Sequence, residues 1–171
     1  LNAAEKIRLE NQTAKRIDVF IRTSPFQKNN NYYENLKKID LPIRTNDSLE
    51  LIKQALINKV GIIGICLGAQ LLAHAAGGEV ETLFAESSFK PSPEVGWKKI
   101  VFKDKWKNKL WSSFIEDPFT VLHWHGDRIL LPASAELIAS SYRCKDQLFK
   151  IGPLAYGFQF HIEIEDEMVL K

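Results

Sequence analysis

Cysteine is scarce: the 171 residues contain two, Cys66 and Cys144. A single pair cannot build a disulfide framework, and a chain of this length buries enough apolar surface to fold without one. Charge of one sign is also missing. The 23 Lys and Arg against 21 Asp and Glu leave a net +2, with no basic run, which excludes the electrostatic footprint of a nucleic-acid binder. No stretch nears the roughly 20 apolar residues of a membrane helix. The amino terminus lacks the basic and then apolar pattern of a secretory signal. No G-x-x-x-x-G-K-[ST] loop is present, so no phosphate cradle of that type exists. A hydrophobic fraction of 45% with 26% charged residues excludes a disordered chain. These absences leave a globular protein in a reducing, cytoplasmic setting, with one domain expected over residues 1–171. The sequence opens on Leu1 rather than Met, so the natural start is expected to lie upstream.

Apolar spacing at Ala4, Ile7, Leu9 and Ala14 predicts a helix over 4–16, and the alternation from Ile17 to Arg22 predicts a strand. Residues 23–46, rich in Asn, Pro and Thr, read as loop and include the Asn29–Asn31 tract. Asp47 or Ser48 can cap a helix to about Asn58. Lys59–Ile65 is nearly all apolar, as expected of a parallel strand buried on both faces. A helix over 69–76 follows, stopped by Gly77-Gly78. Strands are expected at 97–102, 120–124, 137–141, 147–151 and 155–161, with a short helix near 105–114. The order predicts an α/β fold: a mostly parallel central sheet flanked by helices, with a small antiparallel addition in the second half.

The chemistry concentrates at Gly64-Ile65-Cys66-Leu67-Gly68. This is the cysteine form of a nucleophile elbow, a sharp strand-to-helix turn that exposes its central side chain. Bulk two residues before or after the cysteine should clash, hence the glycines. The helix amino terminus should lower the Cys66 thiol pKa, and the Leu67 N–H can bind a developing oxyanion. The pentapeptide alone is equally compatible with a small apolar cysteine packed in a strand.

A nucleophilic cysteine needs a base. His74, eight residues on along the same helix, lies roughly 12 Å down the axis. His161 ends an alternating run, and Glu163 shares its face, where it can accept a ring N–H and orient the other nitrogen toward sulfur. An exposed His–Glu pair at a strand end is the plainer reading. His123-Trp124-His125-Gly126-Asp127 has the H-x-H spacing of a metal site. No further ligand completing the shell is evident in the sequence, so no metal and no cofactor are expected.

Together, Gly64–Gln70, Glu94–Trp97, His123–Asp127 and Phe158–Glu163 resemble the ordered motifs of class I glutamine amidotransferases. The nearest group is that of stand-alone proteins similar to the glutamine amidotransferase domain of GMP synthase. The resemblance spans about residues 47–164 and implies a flavodoxin-like α/β fold. It also implies a Cys66–His161–Glu163 triad, with L-glutamine as ammonia donor. Gln70, Trp124, His125, Gly126 and Asp127 are implied to help form the glutamine pocket, and a synthetase on another chain is the implied partner. Three departures stand out. The family's first strand is missing, and few residues follow Glu163. The strand and Gly-Gly loop that supply a second oxyanion donor are replaced by Ile39–Thr45. The sequence is therefore expected to omit a segment between Asp40 and Asp47, together with the first strand and part of the carboxyl-terminal end. Two other readings remain: a Cys–His hydrolase of γ-glutamyl or peptide bonds, and a non-catalytic module of the same fold.

Overall fold

The computed structural model describes residues 3–22, 34–86, 88–107 and 118–164. The Asn29–Asn31 tract, the expected helical residues 108–114 and the residues beyond 164 lie outside this set. One domain is expected, but contacts divide the chain into two compact units, Leu1–Val60 and Gly61–Lys171.

The first unit holds α1 (Ala3–Leu9), β1 (Ala14–Arg22), β2 (Glu34–Thr45) and α2 (Ser48–Ile57). Helix α1 stops short of the expected 4–16 span, and Ala14–Arg16 join β1 instead. The larger correction is β2, a 12-residue strand antiparallel to β1 in a stretch expected to be loop. Its alternation explains the strand: Ile39 and Leu41 are buried while Asp40, between them, faces out to pair with Arg16 at 2.9 Å. Pro42 is tolerated because a two-stranded sheet consists only of edges. Strand β2 runs to Thr45, whose Oγ1 accepts from the Asp47 N–H at 3.0 Å. Asp47 Oδ1 then caps α2 by accepting from Leu49 N–H at 2.9 Å, with Glu50 in the first turn.

The second unit contains β3 (Ile62–Ile65), α3 (Leu67–Ala75), β4 (Glu79–Thr82), β5 (Glu94–Phe102), β6 (Phe119–His125), β7 (Asp127–Leu130), β8 (Ala135–Ser141), β9 (Leu148–Ile151) and β10 (Ala155–Phe158). A 3-10 turn at Asp104–Trp106 stands at the start of the expected helix. Six strands form one sheet in the order β3-β10-β9-β8-β5-β6, and β4 pairs with β7 separately. The fold is α/β as expected, yet the balance of pairing differs. Among the described residues β3 and β10 are the parallel pair, and the other four ladders are antiparallel. The residues ahead of the elbow strand form their own hairpin rather than further parallel strands. Strand β3 therefore ends the sheet, and Ile63 is 71% exposed where burial on both faces is expected.

The core of this unit packs Ile100, Phe102, Val121, Ile138, Leu148 and Phe160. It packs along β5, β6, β8 and β9, which continue the sheet from the parallel pair. At the far end of α3, Gly77 takes φ +94 and stops the helix as expected.

Candidate active site

The elbow forms as the sequence requires. Cys66 sits between β3 and α3 with φ 50 and ψ −109, a conformation that non-glycine residues rarely adopt. The turn closes because Gly64 lacks a side chain: a Cβ there would lie 2.5 Å from the Gly68 carbonyl oxygen and 2.9 Å from Ala69 N. The second glycine of the motif behaves differently from expectation. A Cβ on Gly68 would meet nothing within 4 Å, so the clash argument holds for one side of the cysteine only.

The site is assembled at the carboxyl ends of two neighbouring parallel strands. Ile65 of β3 is in register with Phe158 of β10, and Cys66 N–H donates to the Phe158 carbonyl at 2.7 Å. Three residues further on, His161 is tied to β6 by its N–H, which donates to the Leu122 carbonyl at 2.9 Å. The same strand β6 brings the Trp124 carbonyl to 3.8 Å from Cys66 Sγ, which donates to it. The Trp124 ring itself points to solvent.

His161 Nδ1 lies 2.6 Å from Glu163 Oε1. A carboxylate only accepts, so Nδ1 carries the hydrogen and Nε2 is the basic nitrogen of the neutral ring. Burial raises the Glu163 carboxyl, but hydrogen bonds from His161 and from backbone N–H groups outweigh it and hold the group below its ordinary value.

The Cys66 thiol departs from expectation. Burial pushes its pKa up most, the Leu67 N–H pulls it down, and the charge of Glu163 pushes it up again; the net direction is upward. The helix amino terminus does reach the sulfur through Leu67, but a half-buried thiol beside a carboxylate is not a resting thiolate. Proton removal by a neighbouring base is then required for attack.

The expected glutamine-pocket residues divide. Trp124 offers its carbonyl at the sulfur, and Gly126 and Asp127 follow in the turn into β7. Gln70, on α3 one turn past Cys66, is buried and its Nε2 lies 3.3 Å from Gln159 Oε1. It also lines a cavity of about 450 Å³ with Leu67, Leu71, His74, Glu79 and Val80. His125 does not face an open pocket. Its side chain is 1% exposed, with Nδ1 2.9 Å from the Asp127 carbonyl and Nε2 3.4 Å from Glu94 Oε2.

That contact belongs to a cluster that sequence reasoning missed. Glu94, His123 and His125 are buried and bring one ligand atom each within 4.8 Å of one another, a set able to hold a metal ion. The expectation that nothing completes a shell around the two histidines is therefore corrected: Glu94 does, because it is the register partner of His125 across β5 and β6. The clue was its presence as the lone carboxylate heading an otherwise alternating strand. Burial raises the Glu94 carboxyl most, but the neighbouring His125 and His123 rings and the hydrogen bond from Ser141 outweigh it and hold the group below its ordinary value. Burial lowers His123 to about 4, so its ring is neutral at pH 7.

Residues 34–167 match the profile of the glutamine amidotransferase class-I family. Residues 1–57 match a second profile, the C-terminal domain of the impB/mucB/samB family, and the two overlap over 34–57. The chain is 35% identical over 119 residues to the glutamine amidotransferase-like protein YfeJ of Salmonella typhimurium, covering 70% of this chain and 47% of that one. It is 32% identical over 123 residues to a glutamine-hydrolyzing GMP synthase subunit of Methanococcus vannielii, covering 68% and 60%. Gamma-glutamyl peptidase 3 of Arabidopsis thaliana is 29% identical over 117 residues, covering 66% and 45%. Among solved structures, a glutamine amidotransferase from Thermotoga maritima superposes with a TM-score of 0.61 at 33% identity, covering 71% of this chain and 49% of that one. The chain thus spans about half the length of the curated relatives it matches.

Proposed function

This chain belongs to the class-I glutamine amidotransferase family, and from that premise we propose that its second unit hydrolyses the side-chain amide of L-glutamine and delivers the ammonia to an acceptor on another chain. The observation that carries this reading is the elbow cysteine and the His161–Glu163 pair on the ends of adjacent parallel strands.

His161 Nε2 takes the Cys66 proton, and the sulfur attacks the amide carbon of glutamine. The Leu67 N–H stabilises the oxyanion. His161 then protonates the departing ammonia, leaving a γ-glutamyl thioester on Cys66. Water, deprotonated by His161, hydrolyses the thioester and releases glutamate. Glu163 holds the ring in the tautomer that exposes Nε2. The Trp124 carbonyl, Gly126 and Asp127 form one wall of the substrate site, with Gln70 behind it. His125 shapes this wall from within. A separate acceptor chain fits the likeness to a protein named as one subunit of a glutamine-hydrolyzing GMP synthase. The setting is cytoplasmic, a reading supported by two free cysteines. Among the described residues no helix is long and apolar enough to cross a membrane.

A second reading, a non-catalytic module of the same fold, is favoured by one observation. The stretch where the family carries its second oxyanion donor is here the end of β2, paired to β1. Loss of one such donor costs about 100- to 1000-fold in rate. A third, hydrolysis of γ-glutamyl peptides, draws on the likeness to a protein named as a gamma-glutamyl peptidase. One assay separates them: ammonia release from glutamine and amine release from γ-glutamyl dipeptides, each with wild-type protein and Cys66→Ala. Ammonia release that vanishes in Cys66→Ala supports the amidotransferase. Turnover of the dipeptides alone selects the peptidase, and no turnover of either selects the module.

A further inference from the structure

The buried cluster of Glu94, His123 and His125 takes no part in the chemistry assigned to Cys66, and its geometry raises a separate question of charge. His125 Nδ1 lies 2.9 Å from the Asp127 carbonyl oxygen. A carbonyl only accepts, so Nδ1 carries the hydrogen and a neutral ring presents a bare Nε2. That bare nitrogen points at Glu94 Oε2 from 3.4 Å, and His123 Nδ1 stands 3.5 Å from the same oxygen. Both separations exceed the roughly 2.9–3.0 Å of a good N–H···O bond. Neither ring nitrogen of His123, nor Nε2 of His125, has a hydrogen-bond partner in the described structure. The three side chains are 0–1% exposed, so bulk water does not reach them. A bare ring nitrogen held against a buried carboxylate calls for a positive charge between them.

We propose that Glu94 Oε2, His123 Nδ1 and His125 Nε2 bind one divalent metal ion of the zinc type, in a structural site that ties β5 to β6. Two imidazoles and a carboxylate are a donor set that first-row divalent metals favour. The two nitrogen–oxygen separations, 3.4 and 3.5 Å, fit as well. Bonds of about 2.0–2.1 Å in a tetrahedron place neighbouring ligand atoms about 3.3–3.4 Å apart. The supporting contacts are those a metal site needs. The Asp127 carbonyl fixes the His125 tautomer at 2.9 Å. Glu94 accepts from Ser141 Oγ at 3.0 and 3.2 Å and from Gln147 Nε2 at 2.9 Å, which holds the carboxylate in place. The strand period does the rest: His123 and His125 are two apart on β6 and share its inner face, opposite Gly96 and Glu94 of β5. Because the site is closed, the ion reinforces the strand that carries the Trp124 carbonyl and meets no substrate.

The rival is a shared proton, with His125 as an imidazolium paired to Glu94. Titration of chelator-stripped protein with Co²⁺ separates the two, using the Cys66→Ser variant so that the accessible thiol cannot bind. The expected result is one cobalt per chain, with the visible d–d bands of tetrahedral Co²⁺ and no thiolate charge-transfer band. Zn²⁺ should displace the cobalt and raise the melting temperature. His123→Gln should lose the bands while keeping its far-UV circular dichroism. If that variant fails to fold, ring ¹⁵N resonances of the parent protein decide, since Zn²⁺ should move those of His123 and His125. Folded, stripped protein that gives no d–d bands overturns the proposal in favour of the proton. Bands that survive in folded His123→Gln, or that carry thiolate charge transfer, put the metal elsewhere and overturn it equally.

Discussion

The backbone N–H of Cys66 donates to the carbonyl of Phe158 at 2.7 Å. This bond ties the strained elbow to the strand that leads, three residues later, to His161. The proposed nucleophile and base therefore follow neighbouring strands, in which Gly64 and Gly157 are register partners. The site depends on the elbow closing tightly, and that dependence can be tested.

Gly64→Ala should disrupt the elbow, because its new Cβ would meet backbone atoms of Gly68 and Ala69 at 2.5–2.9 Å, and backbone cannot swing aside. The expected cost is about 1–3 kcal/mol, as for overpacking elsewhere in a folded core. Gly68→Ala is the control. Its Cβ enters open space, and alanine is the better helix former by about 1 kcal/mol. Urea unfolding of the two variants should give shifts of opposite sign. A Gly64→Ala protein as stable as wild type would contradict the geometry.

Cys66→Gly should lose glutamine hydrolysis and gain stability. The residue holds φ 50 and ψ −109, where a side chain is strained and glycine is not. Relief of about 1 kcal/mol or more is expected, offset in part by the greater freedom of glycine in the unfolded chain. Thermal unfolding of Cys66→Gly against Cys66→Ala isolates the backbone contribution, since both lack the sulfur. Equal melting temperatures would limit the strain to the roughly 0.5–1 kcal/mol that glycine costs in the unfolded chain.

The elbow was legible because G-x-C-x-G between an apolar run and a helix is a local signal, and so was the His161–Glu163 pair, two apart in an extended run. Strand β2 was not, because Asn and Pro around it suggested loop while its pairing partner lay across residues 23–33. The role of Glu94 was hidden for a similar reason. A carboxylate at a strand end looks solvated until register with β6 is known, and register is a long-range property. The raised Cys66 thiol was also missed, because a helix amino terminus can be read from sequence whereas burial and the approach of Glu163 cannot.

The two cysteines should separate in alkylation. Cys144 is 1% exposed and burial pushes its thiol up to about 11, so iodoacetamide should spare it in the folded protein. Cys66 is reachable, and its thiol lies above the ordinary value. Since only thiolate reacts, its labelling rate should be slow at pH 7 and still climbing above pH 9. Peptide mapping after timed labelling at several pH values measures both. A Cys66 rate that levels off below pH 7 would mean a stabilised thiolate and would reverse the sign argued here.

His161→Ala should abolish both thioester formation and hydrolysis, a loss of about 100- to 10,000-fold. Glu163→Gln should also cost up to about 10,000-fold, because the amide can donate to Nδ1 and select the tautomer in which Nε2 carries the hydrogen. The carboxylate should reveal itself through pH. Glu163 titrates below its ordinary value in the folded protein, so the unfolded chain takes up its proton first as pH falls. The stability it contributes is fully present above the ordinary value of 4.5 and is lost as pH drops through the lower folded value. The difference in urea midpoint between wild type and Glu163→Gln should therefore be constant from neutrality to about pH 5 and shrink below it. A difference that stays flat through pH 3 would show that His161 and Glu163 are not paired as charge and donor.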